Sequence, residues 1–467
     1  MKKINLFRVL AATAAALSLA VPVTASASLT ATQKKAIQKV GADAYTYGYA
    51  PVYMKRNMSR FPSNYVLHVQ YLATELTRTV VKPNADTLYS IMVVDVGSDP
   101  LIIHTPATGS RYFSLEMLDG HSNVFGYVGT RATGSNGGNY AIVGPNWNPT
   151  TTPLNRSVDR VIRSATPAVW IVGRTLVDSQ ADIPSAIAVQ NGVNAQYNSK
   201  VSAAEFLPTL ALTKPGDSAP TAVEMTPNSA YFKEFGVVMA AQPPVSADAP
   251  MIAKLAKYGI GPGLDPNKTQ GSAVMAELVR GAKTAATAIK AAVDKAAAAS
   301  VKKRNGWVLF DHVGDYGTDY LTRAVIAEVG VGANRPEESI YPGTSRTSTG
   351  SLMNCGSGRV YKIHFNPGQT PPVDGFWSIS MYADDQFFIA NPINRYAIGD
   401  RTPNLTYNSD GSLDIWISKS QPSAARNGAR NWLPAPASTF VIVMRAYIPR
   451  AGVLNGTWVY PKVTKVS

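Results

Sequence analysis

A chain of 467 residues with 45% hydrophobic and 16% charged residues is long enough for two or three packed domains and too apolar to be disordered. Its single cysteine, Cys355 between Asn354 and Gly356, excludes an intramolecular disulfide and reads as a structural or turn residue. The formal charge of +14 suits a surface that meets anionic lipopolysaccharide, glycan or nucleic acid. However, the only tight basic run, Lys302-Lys303-Arg304, falls where it complements the carbonyl end of a helix. No nucleic-acid motif accompanies the charge, so that partner is set aside.

Lys2, Lys3 and Arg8 precede an alanine-rich apolar run from Val9 to Val23, and Ala25-Ser26-Ala27 follows as a small-residue cleavage site. Residues 1–27 therefore read as a signal peptide, with a mature chain starting at Ser28 in the periplasm or outside the cell. Loss of the three cations lowers the formal charge to +11. The apolar run is short and interrupted by Pro22, so a membrane anchor is the weaker reading, and no later stretch is long enough to span a bilayer.

From Thr30 to about Met54 the pattern is helical, with Thr30 or Thr32 as N-cap and an aromatic cluster, Tyr45-Thr46-Tyr47-Gly48-Tyr49, that Pro51 ends. Aromatics at this spacing fit a core better than a ligand platform. Strand patterns then cover Tyr89–Val96, Leu101–His104, Tyr112–Leu118, Val124–Val128, Tyr140–Val143 and Ala168–Val172, separated by Pro, Gly and Asn turns. Helical composition returns at Ile183–Tyr197, Thr226–Ala241, Pro250–Tyr258, Ser272–Lys303 and Thr318–Val329. Strands resume at Val360–Phe365, Gly375–Met381, Leu413–Ser418, Phe440–Ile448 and Trp458–Val459, with Asn408-Ser409-Asp410-Gly411 as a hairpin turn.

The densest polar set among these strands lies in residues 81–134. Pro83 fixes the backbone before Asn84 and Asp86, whose side chains suit an Asx-type turn. Asp86, Asp119, Asn123 and Arg131 stand among buried residue types, where a charge needs a partner, and an Asp–Arg pair would supply one. A second cluster, Phe376-Trp377-Ser378 with Asn391, Arg395 and Trp432, mixes aromatics with polar groups as a sugar-stacking surface does; core packing explains Trp377 better. His121 with Asp119 is the best start of a zinc site, but two-residue spacing is a weak signal, so no cofactor is expected and a metal ion is the weaker alternative. Signatures of zinc proteases, serine hydrolases, phosphate-binding loops and redox dithiols are absent from the sequence.

On these same stretches the chain resembles the exported proteins built from domains of unknown function 1254 and 1214. The first match rests on Tyr45-x-Tyr47-Gly48-Tyr49, Pro83-Asn84-x-Asp86-Thr87-Leu88-Tyr89-Ser90, Arg111-Tyr112, Asp119 with Asn123, Gly129-Thr130-Arg131 and Trp170-Ile171-Val172-Gly173-Arg174. The second rests on Tyr316-Gly317-x-x-Tyr320-Leu321-x-Arg323-Ala324, Phe376-Trp377-Ser378, Asn391-Pro392 with Arg395-Tyr396, and Asn431-Trp432-Leu433-Pro434-Ala435-Pro436. The resemblance implies two β-sandwich domains, the second jelly-roll-like, and no established activity.

The expected architecture is thus mainly β with a helical insertion, in two antiparallel β-sandwich domains. Its parts are a signal peptide at 1–27, an N-terminal sandwich with a leading helix at 28–178, a helical subdomain at 179–331 and a jelly-roll-like domain at 332–467. The expected function is recognition of a small molecule or envelope glycan by Asn84, Asp86, Asp119, Asn123 and Arg131, with Arg395 entering from the second domain. The alternatives are a hydrolase or lyase using Asp86 and Asp119 as an acid/base pair, and a structural component of an envelope assembly.

Overall fold

The computed structural model describes residues 28–215 and 223–466. The expected signal peptide at residues 1–27 lies outside the described residues.

The first helix, α1, spans Ala31–Met58, and its start is dictated locally. The Thr30 side chain accepts from the Gln33 amide while the Gln33 side chain accepts from the Thr30 amide, a reciprocal capping box. Pro51 does not end the helix, which continues for two further turns. A proline at this position leaves the carbonyl four residues earlier, that of Tyr47, without its helical donor. The buried Arg323 guanidinium supplies a substitute, with Nη2 donating to Tyr47 O at 2.9 Å. Arg323→Met is therefore expected to lower the unfolding free energy by about 1–3 kcal/mol, the cost of an unsatisfied buried carbonyl. Urea denaturation checks it, and an unchanged midpoint would contradict the assignment.

Strands β1 (Val66–Val69), β2 (Thr87–Asp95), β3 (Leu101–Thr105), β4 (Phe113–Asp119), β5 (Val124–Gly129), β6 (Gly138–Val143), β7 (Arg160–Arg163) and β8 (Ala168–Leu176) follow. After α2 (Ile183–Asn191) come β9 (Asn194–Tyr197) and β10 (Thr209–Leu212). They form a six-stranded sheet in the order β10-β1-β2-β8-β4-β5 and a four-stranded sheet in the order β7-β6-β3-β9. Met92, Val94, Leu115, Met117, Val169 and Ile171 from the first sheet meet Leu101, Ile103, Tyr140 and Ile142 from the second, which is the interior of a sandwich.

Period-2 alternation turns the intervening side chains of β2, β4 and β8 to the other side of the six-stranded sheet. Helices cover part of that side. Met54 and Met58 of α1 pack there on Val93, Leu118, Trp170 and Val172. The remaining helices are α3 (Ser229–Ala241), α4 (Ala249–Ala256), α5 (Pro266–Thr269), α6 (Ser272–Lys303) and α7 (Tyr320–Gly330). α1 belongs with them: Val40, Ala44 and Tyr47 share one core with Phe232 and Phe235 of α3, Leu278 and Ala282 of α6 and Ala324 of α7.

The C-terminal unit contains β11 (Ser339–Ile340), β12 (Gly343–Thr344), β13 (Tyr361–Phe365), β14 (Trp377–Ala383), β15 (Ala397–Gly399), β16 (Leu413–Ser418), β17 (Trp432–Pro434) and β18 (Phe440–Tyr447). A short helix, α8 (Ala451–Leu454), precedes β19 (Lys462–Lys465). The sheets β11-β18-β14-β15, with β12 also on β18, and β17-β16-β13-β19 enclose Trp377, Ile379, Met381, Ile415, Ile417, Ile442 and Met444. The fold is therefore mixed helix and strand around two sandwiches whose pairs are mostly antiparallel; β1–β10, β6–β7 and β16–β17 are parallel.

The domain limits expected at 178 and 179 cut through the first sandwich, because β9 pairs with β3 and β10 with β1. Asn194–Tyr197 had helical composition, yet Ala195 is wholly buried in the sandwich core, and that tertiary burial overrides propensity. Likewise Trp458–Val459 is not a strand. Trp458 instead seats its ring in the second core and donates Nε1–H to Gln369 O at 3.1 Å. Among the described residues no helix is long and apolar enough to cross a membrane.

Candidate functional site

The six residues marked by the sequence fall into three places. Asn84 and Asp86, in the turn before β2, reach the boundary between the two sandwiches. Asn84 Oδ1 accepts the Asp86 amide at 2.8 Å, the expected Asx turn, and its Nδ2 donates to Tyr447 OH at 3.1 Å across the boundary. Asp86 receives two donors from the C-terminal unit, Ser378 Oγ at 2.6 Å and Arg401 Nη2 at 2.9 Å. The partner of Asp86 is thus an arginine from the other sandwich, stacked 4.2 Å from the Phe376 ring centroid.

Arg131, just after β5, joins the same boundary. Its Nε donates to Glu338 Oε2 at 2.6 Å, and Glu338 Oε1 accepts from Tyr112 OH at 2.7 Å. Tyr112 packs on Phe376 and Tyr447, so the polar groups sit around an aromatic centre shared by both units.

Asp119 and Asn123 are elsewhere. Asp119 Oδ1 accepts the amides of His121 and Asn123, both at 2.9 Å, and Oδ2 accepts Asn123 Nδ2 at 2.9 Å. These bonds close the turn between β4 and β5, where Ser122 has a φ of 68°. In β8 register Thr87, next to Asp86, lies opposite Leu176, whereas Asp119 lies opposite Val169. Seven residues of strand separate the two positions, roughly 23 Å at ~3.3 Å per residue. Asp86 and Asp119 therefore do not form an acid/base pair, and that route to a hydrolase or lyase is closed.

Arg395 does not enter from the second domain either. Its Nη1 donates to the carbonyls of Arg430 and Trp432 at 3.2 and 2.9 Å, tying two loops of the C-terminal sandwich. Arg401, six residues on, takes the place expected for it. His121 is buried, with Nε2 3.0 Å from Gln242 O. Among the described residues no three His, Cys, Asp or Glu side chains gather as a metal site.

Several residues of the boundary carried a signal that the sequence reading did not use: a charge inside an apolar strand. Glu116 in β4 and Arg174 in β8 are buried, and Arg174 Nη1 donates to Glu116 Oε2 at 2.8 Å and to Asn334 Oδ1 at 3.3 Å. Arg445 in β18 donates to Ser380 Oγ at 2.7 Å and to Lys82 O at 2.9 Å. Ser378, Ser380 and Tyr382 occupy alternate positions of β14, so this strand turns Trp377, Ile379 and Met381 to its own core and its polar side to the first sandwich.

Burial pushes the Glu116 carboxyl up to about 7, against the opposing pull of Arg174. Asp400, beside Arg401, is raised to about 6 by burial. His68 in β1 is wholly buried with Nδ1 2.9 Å from Ser90 Oγ and, among the described residues, no partner on Nε2, and burial lowers it to about 4. A histidine depressed in the folded state takes up a proton on unfolding, so it costs stability as pH falls from ~6.5 through ~4. His68→Gln is expected to flatten the acid side of a thermal-melting profile between pH 4 and 7; an unchanged acid slope would contradict this.

Family models match both sandwiches: "Protein of unknown function (DUF1254)" over residues 63–197 and "Protein of unknown function (DUF1214)" over residues 338–451. The chain belongs to this two-domain family. The boundary network therefore joins the DUF1254 part to the DUF1214 part, with Asn84, Asp86 and Arg174 on one side and Ser378, Arg401 and Arg445 on the other. The first match ends at β9, beyond the limit expected from composition. Among solved structures, the VPA0106 protein from Vibrio parahaemolyticus is similar over 92% of this chain and 100% of its own, at 22% identity and a TM-score of 0.68, which shows a shared fold. An uncharacterized protein from Burkholderia cenocepacia aligns over 93% of this chain and 95% of its own, at 12% identity and a TM-score of 0.43. No curated protein matches.

Proposed function

We propose that this DUF1254–DUF1214 protein binds a small, hydroxyl-rich molecule, such as an envelope glycan fragment, at the seam between its two sandwiches. The observation that carries this reading is the meeting of Asn84 and Asp86 with Ser378, Arg401 and Tyr447 across the seam, joined by Arg131 on Glu338 and by the buried Arg174, whose Nε has no hydrogen-bond partner among the described residues. A buried donor in that condition favours a ligand that offers it an oxygen. Charge supports a neutral ligand. Arg131, Arg174 and Arg401 are each already paired with a carboxylate, Glu338, Glu116 and Asp86, so none of the three is left free to select an anion.

Thermal-shift titration of the mature chain with neutral saccharides, acidic sugars and small metabolites tests it. The expected result is stabilisation by a neutral polyhydroxylated compound that Asp86→Ala or Arg131→Ala abolishes. Failure of the whole panel to raise the melting temperature would remove the reading. One observation favours a second reading, in which the seam is purely an interdomain fastening: Asp86, Glu116 and Glu338 each already hold an arginine. That reading predicts destabilised variants and no stabilising ligand.

We also propose that the chain is exported and cleaved before Ser28. N-terminal sequencing of protein recovered from the periplasm or medium is expected to begin at Ser28, and recovery of full-length chain from the cytoplasm alone would overturn this.

A further inference from the structure

The helical layer contains a cavity of about 350 Å³ that is separate from the seam. This is at the small end of small-molecule sites, roughly 300–1,000 Å³. Its wall includes Tyr45 and Tyr49 of α1, Met225, Ala286 and Ile289 of α6, and Glu328 of α7. Tyr45 and Tyr49 are four residues apart and so share one side of the helix. Both are buried, and their phenols are engaged: Tyr45 OH donates to Met225 O, and Tyr49 OH donates to Glu328 Oε2.

Burial and then the Glu328 carboxylate hold both phenols well above the usual tyrosine range, so they remain neutral donors. Glu328 itself is half-buried. Among the described residues it has Tyr49 as its only hydrogen-bond donor and no Lys, Arg or His within ion-pair distance. The other charged groups lining the cavity, Glu224 and Lys290, are exposed, where solvent screens them, and the neighbouring Arg56, whose Nη1 reaches Glu224 O and Met225 Sδ, is already paired with Glu234. A half-buried carboxylate set in an aromatic and aliphatic wall, without a cation of its own, is complementary to an ammonium group with an apolar body.

We propose that this cavity binds a small organic ammonium compound, with its cation on Glu328 and its body against Tyr45, Tyr49 and Ile289. The inference is independent of the seam, since none of these residues touches it.

Isothermal titration calorimetry of the full mature chain tests it with two cations, tyramine and choline, and their neutral counterparts, 4-ethylphenol and 3,3-dimethylbutan-1-ol. The expected result is saturable binding of at least one cation, weaker by about tenfold or more for its neutral counterpart, that is 1.4 kcal/mol or more. Glu328→Gln is expected to weaken the cation by a similar factor, and Ala286→Phe, which fills the cavity from α6, to abolish binding. Absence of saturable binding by either cation at millimolar concentration would overturn the proposal. So would equal affinity for the neutral counterparts, or binding that survives both variants. If Glu328→Gln does not fold, the wild-type comparison and Ala286→Phe decide.

Discussion

Arg174→Ala is expected to be the most destabilising single change at the seam, by roughly 3–5 kcal/mol at pH 8 and by clearly less at pH 5. The variant leaves the Glu116 carboxyl wholly buried without its cation, and also removes a donor from Asn334 Oδ1. At pH 8 that carboxyl is ionised or must take a proton against the bulk pH, and either state is costly. At pH 5 it is already neutral, because burial holds it near 7 even beside Arg174. The sign follows from linkage: a carboxyl raised from 4.5 to about 7 binds its proton in the folded chain only, so its burial costs progressively more as pH rises through that window. Without Arg174 the pull toward ionisation is gone and the window extends upward. Urea denaturation of wild type, Arg174→Ala and the Glu116→Gln/Arg174→Ala double variant at both pH values tests this. The double variant is expected to be less damaged at pH 8 than Arg174→Ala, since neighbouring members of one network are not additive. A cost independent of pH would contradict the assignment of Glu116.

The second large effect is expected where α1 crosses α6. Gly41 of α1 lies on the Leu278 carbonyl of α6, and Gly281 of α6 lies on the Gln38 carbonyl of α1; a methyl group at either would fall far inside van der Waals contact with backbone. Backbone cannot swing aside as a flexible side chain can, so the helices must separate along a buried face that includes Val40, Leu278 and Ala282. Gly281→Ala is expected to cost about 3 kcal/mol, although alanine is the better helix former by ~1 kcal/mol. Gly330→Ala is the control: it ends α7, has nothing within 4 Å of the added carbon, and is expected to leave stability unchanged within about 0.5 kcal/mol. Equal melting temperatures for the two variants would show that the crossing tolerates displacement.

Much of the fold was legible because local rules and tertiary packing agree. Ser272–Lys303 is helical from end to end as its composition predicts, and Leu413–Ser418 alternates core and outer residues as a sandwich strand should. The first helix, expected to reach about Met54, runs past Pro51 to Met58; the carbonyl that Pro51 leaves without a donor is taken by Arg323, 272 positions from Pro51 in sequence, and no local pattern contains that contact. The grouping of the candidate residues was legible in part. Asn84, Asp86 and Arg131 were marked by charge and amide groups among buried residue types, and they do meet at one seam. Asp119 and Asn123 carry the same signal but spend it on their own turn, and Arg395 spends its own on loop carbonyls. The distinction depends on whether a local backbone amide or carbonyl is within reach, which is a matter of turn geometry. Conversely Glu116, Arg174 and Arg445 were each conspicuous as a charge in an apolar strand, and each has a partner that only the three-dimensional arrangement supplies.

The claim that the seam is the binding site is tested most directly by hydrogen exchange on the mature chain with and without a neutral saccharide that raises its melting temperature. The account predicts slowed exchange on both sides of the boundary at once, in residues 84–88 and 174–177 of the first unit and in 376–382 and 399–402 of the second. Protection confined to the helical layer or to outer loops, or a panel in which no neutral saccharide stabilises the protein, would contradict it.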